Sequence, residues 1–204
     1  MAYSALTFLV DLGIYDPAFL SLLTQEEKER ERRYKTVISR QRFVLSRTIL
    51  KKILSEILDE DKNAEVILFK NQQGRIMVNG RPDIYISLSY YGTCIAITLG
   101  KGKLGSDIEG VRPILDKKIT ASPLFSCYPC AQDNEHIRQV IHLWTLVESY
   151  AKLYDKNPYP LLDSCQPFCN ASFISYSLDQ QMIFSLAFRE ENVTSILVWL
   201  DTGA

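Results

Sequence analysis

The sequence predicts an α+β protein built of two similar halves, and three observations predict it. Strand-like runs bounded by Gly, Asn and Pro turns gather in two groups, at 64–109 and at 171–200. A long helical pattern of apolar residues precedes each group, at 38–59 and at about 133–155. The chain has 204 residues, 47% of them apolar, which is enough for one large domain or two small ones with a proper core. Helices followed by strands, twice over, give two pseudo-symmetric subdomains, 1–102 and 103–204, each a small antiparallel sheet packed with helices. No sequence repeat accompanies this order, so the symmetry rests on element order alone.

The elements follow in sequence. Residues 4–12 are largely apolar and read as a strand. Asp16-Pro17 starts a short helix, with Pro where its missing N–H costs nothing. Thr24 and Glu27 form a capping box for a highly charged helix through Lys35. In the pattern at 38–59, Phe43, Leu50, Ile53, Leu54, Ile57 and Leu58 fall on one stripe, and Arg40 and Arg47 share a face. Residues 64–69 and 75–78 pair across the turn Asn71-Gln72-Gln73-Gly74. After the turn at 79–82, the runs 84–89, 93–100 and 103–109 read as an antiparallel meander. Pro113 opens a short helix to about 121, and a loop with Pro and Cys covers 122–131. In the second long helix Ile137, Val140, Ile141, Trp144, Val147 and Ala151 are apolar. Strands at 171–178, 181–188 and 193–200 close the chain.

Composition excludes several classes. Charged residues are 23% and balanced to a net charge of −1, which speaks against nucleic-acid binding. No apolar stretch reaches transmembrane length and the first residues lack the basic region of a signal peptide, so the cytoplasm is the expected location. Five cysteines, an odd number, argue against a disulfide framework. Cys127-x-x-Cys130 and Cys165-x-x-x-Cys169, with His136 nearby, have spacings that zinc sites use, and a zinc-stabilised interaction domain is one alternative reading.

The chemistry concentrates in the run Gly105-Ser106-Asp107-Ile108-Glu109. On a strand Asp107 and Glu109 point one way and Ile108 the other. Two carboxylates facing one point repel unless a cation sits between them. A hard dication such as Mg²⁺, which binds through one or two carboxylates plus substrate phosphates, satisfies that need. Glu148, on the second long helix, supplies a third carboxylate, and Lys152 lies one turn beyond it on the same face. The expectation is a metal held against a pyrophosphate. The alternatives are a strand end with two solvated acids and a surface ion pair between Glu148 and Lys152.

Five motifs in order carry a resemblance. These are Arg42-Phe43-x-x-x-Arg47-x-x-Leu50, Gly74-Arg75, Ile86-Ser87-Leu88-Ser89 with Tyr90-Tyr91-Gly92, Gly105-x-Asp107-x-Glu109, and Trp144-Thr145-x-x-Glu148-x-x-x-Lys152. Over about residues 25–190 the chain resembles the 4′-phosphopantetheinyl transferase superfamily, in its single-chain branch similar to the surfactin-synthetase-activating enzymes. The resemblance implies two α+β halves with the active site in the cleft between them. It implies transfer of the phosphopantetheine arm of coenzyme A to a serine of an apo acyl or peptidyl carrier protein, with release of 3′,5′-ADP. Asp107, Glu109 and Glu148 are then expected to hold Mg²⁺, and Glu148 to take the serine proton. Lys152 is expected at a phosphate, and Arg42, Arg47, Arg75, Ser89 and Tyr90 are expected to bind the nucleotide phosphates. A monomer is expected, serving fatty-acid, polyketide or nonribosomal-peptide synthesis. Trp144 is expected to be packing rather than a substrate contact, and the loop at 110–131 to be a carrier docking surface.

The chain departs from the family pattern in four places. Tyr90 stands where the family has a phosphate-binding His, and Tyr donates one hydrogen bond without a positive charge. Val147 stands where a Lys precedes the helix Glu, a position expected to face substrate. Gly-Lys-Pro is Gly74-Arg75-Ile76. The glycines after the helix Lys are absent, with Asp155, Lys156 and Asn157 there instead. These changes support a second reading, a catalytically weak relative that binds carrier protein or coenzyme A without turnover.

Overall fold

A computed structural model describes residues 3–58, 66–113, 119, 121–126, 134–164, 168–178, 181–189 and 193–200. Its strands are β1 (Tyr3–Asp11), β2 (Leu68–Lys70), β3 (Ile76–Val78), β4 (Tyr85–Tyr91), β5 (Cys94–Gly100), β6 (Leu104–Gly110), β7 (Ser172–Leu178), β8 (Met182–Phe188) and β9 (Val193–Leu200). Its helices are α1 (Gln25–Glu31), α2 (Val37–Leu58) and α3 (Asn134–Leu153), with 3₁₀ turns at Pro17–Leu22 and Tyr159–Asp163. The class is α+β, as the sequence predicts. The short helix expected from Pro113 and most of the loop at 122–131 fall outside the described residues, apart from one helical turn at Pro123–Ser126.

One sheet has the order β4-β5-β1-β9 and another β6-β8-β7, while β2 and β3 form a separate hairpin. Within the first sheet, β1 pairs antiparallel with β5 and β5 with β4. In the second, β6 pairs antiparallel with β8 and β8 with β7. β1, β4 and β5 therefore match β6, β7 and β8 strand for strand, and a long helix, α2 or α3, follows the first strand of each set. The turn between β5 and β6 is where the chain passes from one sheet to the other. β9 breaks the correspondence by returning to lie parallel beside β1, from Tyr3↔Val193 to Val10↔Leu200.

The expected meander through 84–109 ends at β5. β6 leaves the sheet and pairs with β8, because its apolar face has a second sheet to cover. Alternate residues of β5 explain how. Ile95, Ile97 and Leu99 join Leu45, Leu50 and Leu54 of α2 in one core, while Cys94 and Ala96 join Ile108, Phe184 and Leu186 in a core between the sheets. A strand buried on both faces reads as a continuous apolar run. Leu50 and Leu54 are at most 1% exposed, and burial of such a side chain stabilises by roughly 1.5–3 kcal/mol. Ile57, expected on the same stripe, is 48% exposed near the end of α2.

The capping box forms as expected. Thr24 accepts from the Glu27 amide at 3.2 Å, and the Thr24 amide donates to Glu27 Oε2 at 3.0 Å. The same carboxylate accepts from Lys51 at 2.6 Å and so fixes α1 against α2. Gly92, with φ 53, supplies the positive φ that the two-residue β4–β5 hairpin needs.

Candidate active site

β6 presents one edge to β8 and leaves the other without a ladder partner. β4 runs along that edge, and its serines stand in for a strand. The Ser106 amide donates to Ser87 Oγ at 2.9 Å, and the Ile108 amide donates to Ser89 Oγ at 3.2 Å. Ser87 and Ser89 alternate with apolar Ile86 and Leu88, so they share the face turned to β6. Buried backbone donors are thus satisfied without a sheet.

Asp107 and Glu109 point to the α3 side of β6, and Ile108 is fully buried between the sheets. α3 lies directly on β6 because Gly105 has no side chain. A Cβ there would stand 2.1 Å from the Ser149 carbonyl oxygen and 2.4 Å from the Leu153 amide. This contact brings Glu148 and Lys152 over Asp107. Lys152 Nζ is 2.7 Å from Asp107 Oδ1 and 3.7 Å from Glu148 Oε2, and it donates to the Ser106 carbonyl at 3.1 Å. Ser89 Oγ donates to the same Asp107 oxygen at 2.6 Å. Asp107 is 2% exposed, yet its second oxygen, Oδ2, is buried with no hydrogen-bond partner.

The electrostatics reflect crowded acids. Glu148 is pushed up to about 7, first by burial and then by the Asp107 charge, with Lys152 opposing. When protonated it donates to Asp107. Glu109 is raised for the same two reasons, burial and then Asp107, while Arg112 at 3.6 Å and the Trp144 indole N–H favour its charge. Trp144 is buried, as expected of packing, but its N–H also holds Glu109, a contact the sequence reading missed. Lys152 is raised by Asp107 and Glu148 against the cost of burial.

No group of three or more His, Cys, Asp or Glu among the described residues is arranged as a ready metal cage. The Lys152 ammonium lies among these acids, bonded to Asp107 at 2.7 Å and 3.7 Å from Glu148. The donors nevertheless fit a hard dication: carboxylate oxygens only, one of them buried without a partner, and two carboxyls raised first by burial and then by the Asp107 charge. The sequence reading's zinc alternative falls largely on Cys127, Cys130 and Cys165, which lie outside the described residues. Cys94 is buried, with its thiol pushed up to about 12 by burial, and is inert.

A cleft of about 560 Å³ opens beside Lys152, with Arg30, Arg47 and Lys70 in its walls. Burial lowers the Lys70 ammonium, and the nearby Arg30 and Arg47 lower it further. Arg47 is 6% exposed, and burial opposes its charge while Tyr90 and Glu27 support it. Its Nη1 has no partner. The guanidinium groups of Arg30 and Arg47 lie 5.8 and 5.2 Å from the centre of the Phe43 ring. Glu27 Oε1, 3.9 Å from Arg47 Nε, is the anion on this cluster, and three cations with one carboxylate, one of them with an idle donor, suit a phosphate. Arg30 and Lys70 were not picked out by the sequence reading. Arg30 lies in the helix read only as highly charged, and Lys70 falls between the strand expected at 64–69 and the turn at 71–74.

Four expected phosphate binders are placed otherwise. Arg75 lines the cleft, but its guanidinium is committed to Asp155 at 2.9 Å and to the carbonyls of Leu104 and Lys152. Ser89 is spent on β6 and Asp107. Arg42 donates to the Gly92 carbonyl and so anchors the β4–β5 turn to α2. The Tyr90 hydroxyl donates to Ser46 Oγ at 3.3 Å, and burial raises its pKa. Val147, whose position was expected to face substrate, is instead fully buried among Leu124, Phe125 and Leu162. A lysine there would lose its hydration, so the apolar residue suits this packing.

A second cleft, of about 880 Å³, lies past the Glu109 end of β6, with Arg112, Tyr91, Met182 and Trp199 in its walls. Of the expected docking loop, Val111, Arg112 and Pro113 line this cleft.

No family model matches the chain. Two curated proteins do. It is 25% identical over 150 residues to 4′-phosphopantetheinyl transferase Sfp of Bacillus subtilis strain 168, covering 72% of this chain and 66% of that protein. It is 22% identical over 148 residues to 4′-phosphopantetheinyl transferase ffp of Bacillus subtilis, covering 71% of this chain and 66% of that protein. The chain thus spans just under two thirds of the length of these relatives and resembles them as a divergent relative.

Proposed function

We propose that this divergent relative of the 4′-phosphopantetheinyl transferases moves the phosphopantetheine arm of coenzyme A onto a serine of an apo carrier protein, releasing 3′,5′-ADP. One observation carries the reading: a cleft walled by Arg30, Arg47, Lys70 and Lys152 reaches, through Lys152, a buried carboxylate with an idle oxygen. A nucleotide with several phosphates fits the cations, and a metal on its pyrophosphate fits the acids.

Asp107, Glu109 and Glu148 would hold Mg²⁺, which neutralises charge on the pyrophosphate when bound. Ser89 and Trp144 keep Asp107 and Glu109 aimed. Arg47, with its free Nη1, and Lys70 take the nucleotide's phosphates. Lys152, released from Asp107, turns its ammonium to the phosphate oxygen that gains charge as the bond breaks. Glu148 is the carboxylate placed to accept the serine proton, directly or through a water. The serine must enter in line, opposite the leaving nucleotide. The second cleft, lined by Val111, Arg112 and Pro113 just beyond Glu109, is the surface on which the carrier protein would dock.

Tyr90 in place of a histidine, and Arg75 and Ser89 tied into the scaffold, favour the second reading of a binder without turnover. Intact mass spectrometry separates the two. Apo acyl and peptidyl carrier proteins are incubated with coenzyme A, Mg²⁺ and this protein, and a gain of one phosphopantetheine is expected. Asp107→Ala and Glu148→Ala should each abolish the gain with the fold intact; retained transfer in either would undo the metal assignment. Tyr90→His should tighten coenzyme A binding. Binding without any mass gain on any carrier would favour the second reading.

A further inference from the structure

We infer that Arg75 is a positioning residue: paired with Asp155, it locks the β2–β3 hairpin to the end of α3 and so fixes the backbone that carries Lys152. The two residues are 80 positions apart in sequence and 2.9 Å apart in space, Nε to Oδ1. The rest of the guanidinium binds backbone. Nη1 donates to the Leu104 carbonyl at 2.9 Å and Nη2 donates to the Lys152 carbonyl. Leu104 precedes Gly105, where β6 and α3 touch backbone to backbone. Arg75 thus bridges strand and helix beside their tightest contact. Its side chain is 8% exposed, so these bonds form in a medium that strengthens them.

Asp155 is placed for this partnership by the helix end. The Lys156 amide donates to the Ala151 carbonyl at 2.8 Å and the Asp155 amide to the Lys152 carbonyl at 3.4 Å, the two bonds of a Schellman cap. Asp155 fills its left-handed position, φ 54, which favours glycine. A strained residue kept there implies a use for its side chain, and Arg75 is the group it meets. On the other side, the Arg75 amide donates to Asn71 Oδ1 at 2.9 Å, and Asn71 donates back to the Arg75 carbonyl, so the hairpin turn is rigid. That hairpin carries Lys70 into the wall of the cleft that Lys152 also lines. The pair therefore ties two elements that each bring a cation to this cleft.

Two variants test this. Asp155→Gly removes the carboxylate and suits the left-handed position, so it folds; Arg75→Met removes the guanidinium and keeps the apolar stem. Hydrogen–deuterium exchange is read at the Asp155 and Lys156 amides, which needs no activity. Both variants should lose protection there by about tenfold or more. Unchanged or increased protection in Asp155→Gly would overturn the inference. The kinetic arm rests on the proposed transferase reading. The kcat should fall by about tenfold or more in each variant, with no further fall in the double variant and little change in KM for coenzyme A. A tenfold rise in the coenzyme A Kd of Arg75→Met, with Asp155→Gly unaffected, would show Arg75 to be a phosphate ligand and sink the proposal. Failure of the unaltered protein to bind coenzyme A would strike the transferase reading alone, and the exchange result would still decide the pairing.

Discussion

Asp107 shows how one side chain is made reactive by its neighbours. Its Oδ1 accepts from Ser89 and Lys152 while Oδ2 has no partner. A buried acceptor left unsatisfied costs about 1–3 kcal/mol, so with Glu148 ionised the site is destabilised unless something positive binds. Glu148 carries the same message in its titration. Its folded value, about 7, lies above the ordinary 4.5, so between these values the folded chain binds more protons than the unfolded one. Stability from this group is therefore greatest below about pH 4.5 and is lost as pH rises to about 7. In metal-free buffer Glu148→Gln should become more stable relative to the unaltered protein across that window, by roughly 1–3 kcal/mol at pH 8. Urea unfolding at pH 5 and pH 8 measures it; a difference that does not grow with pH would refute the assignment.

At the scale of elements, the contact of α3 with β6 decides the site. Glycine at 105 lets a strand and a helix meet at backbone distance, and the acid pair two and four residues on then lies under Glu148 and Lys152. Gly105→Ala places a methyl group 2.1 Å from the Ser149 carbonyl oxygen, and helix backbone cannot yield as a flexible side chain would. The variant should lose about 2–4 kcal/mol, an overpacking cost at the high end, and its phosphopantetheine transfer should fall by about 100-fold through misplacement of Glu148 and Lys152. Thermal unfolding and the mass-gain rate test both; a variant with unaltered stability would show that the helix stands farther off. The serines of β4 act at the same scale, since they close the open edge of β6 that would otherwise invite pairing with another chain.

Across the whole molecule, two matching three-strand units are joined at a shared apolar layer and by the β4 serines. β9 ties the end of the described chain to its beginning. Its Leu197 packs in the inter-sheet core and its Leu200 against the α2 core. Removing residues 193–204 should uncover the edge of β1 and lower Tm by roughly 10 °C, since about 1 kcal/mol shifts Tm by 2–4 °C in a chain of this size. Calorimetry of the truncated chain checks it, and an unchanged Tm would mean that β9 adds no stability. No helix among the described residues is long and apolar enough to cross a membrane.

What the sequence disclosed was local. The capping box, both long helices, the alternation that buries Ile108 beneath Asp107, and the ordered motifs of a transferase relative were legible because each depends on residues within a few positions of one another. The β6 acids could be read as a pair for the same reason. The tertiary structure alone decided which cations face the cleft, since Lys70 and Arg30 come from a hairpin and a surface helix with no shared spacing. It alone showed Ser89 and Arg75 bound to protein, because their partners lie 18 and 80 residues away. It also moved β6 out of the meander and β9 into the first sheet. Periodicity reports which face of an element is apolar, but which other apolar face will cover it depends on how the whole chain packs.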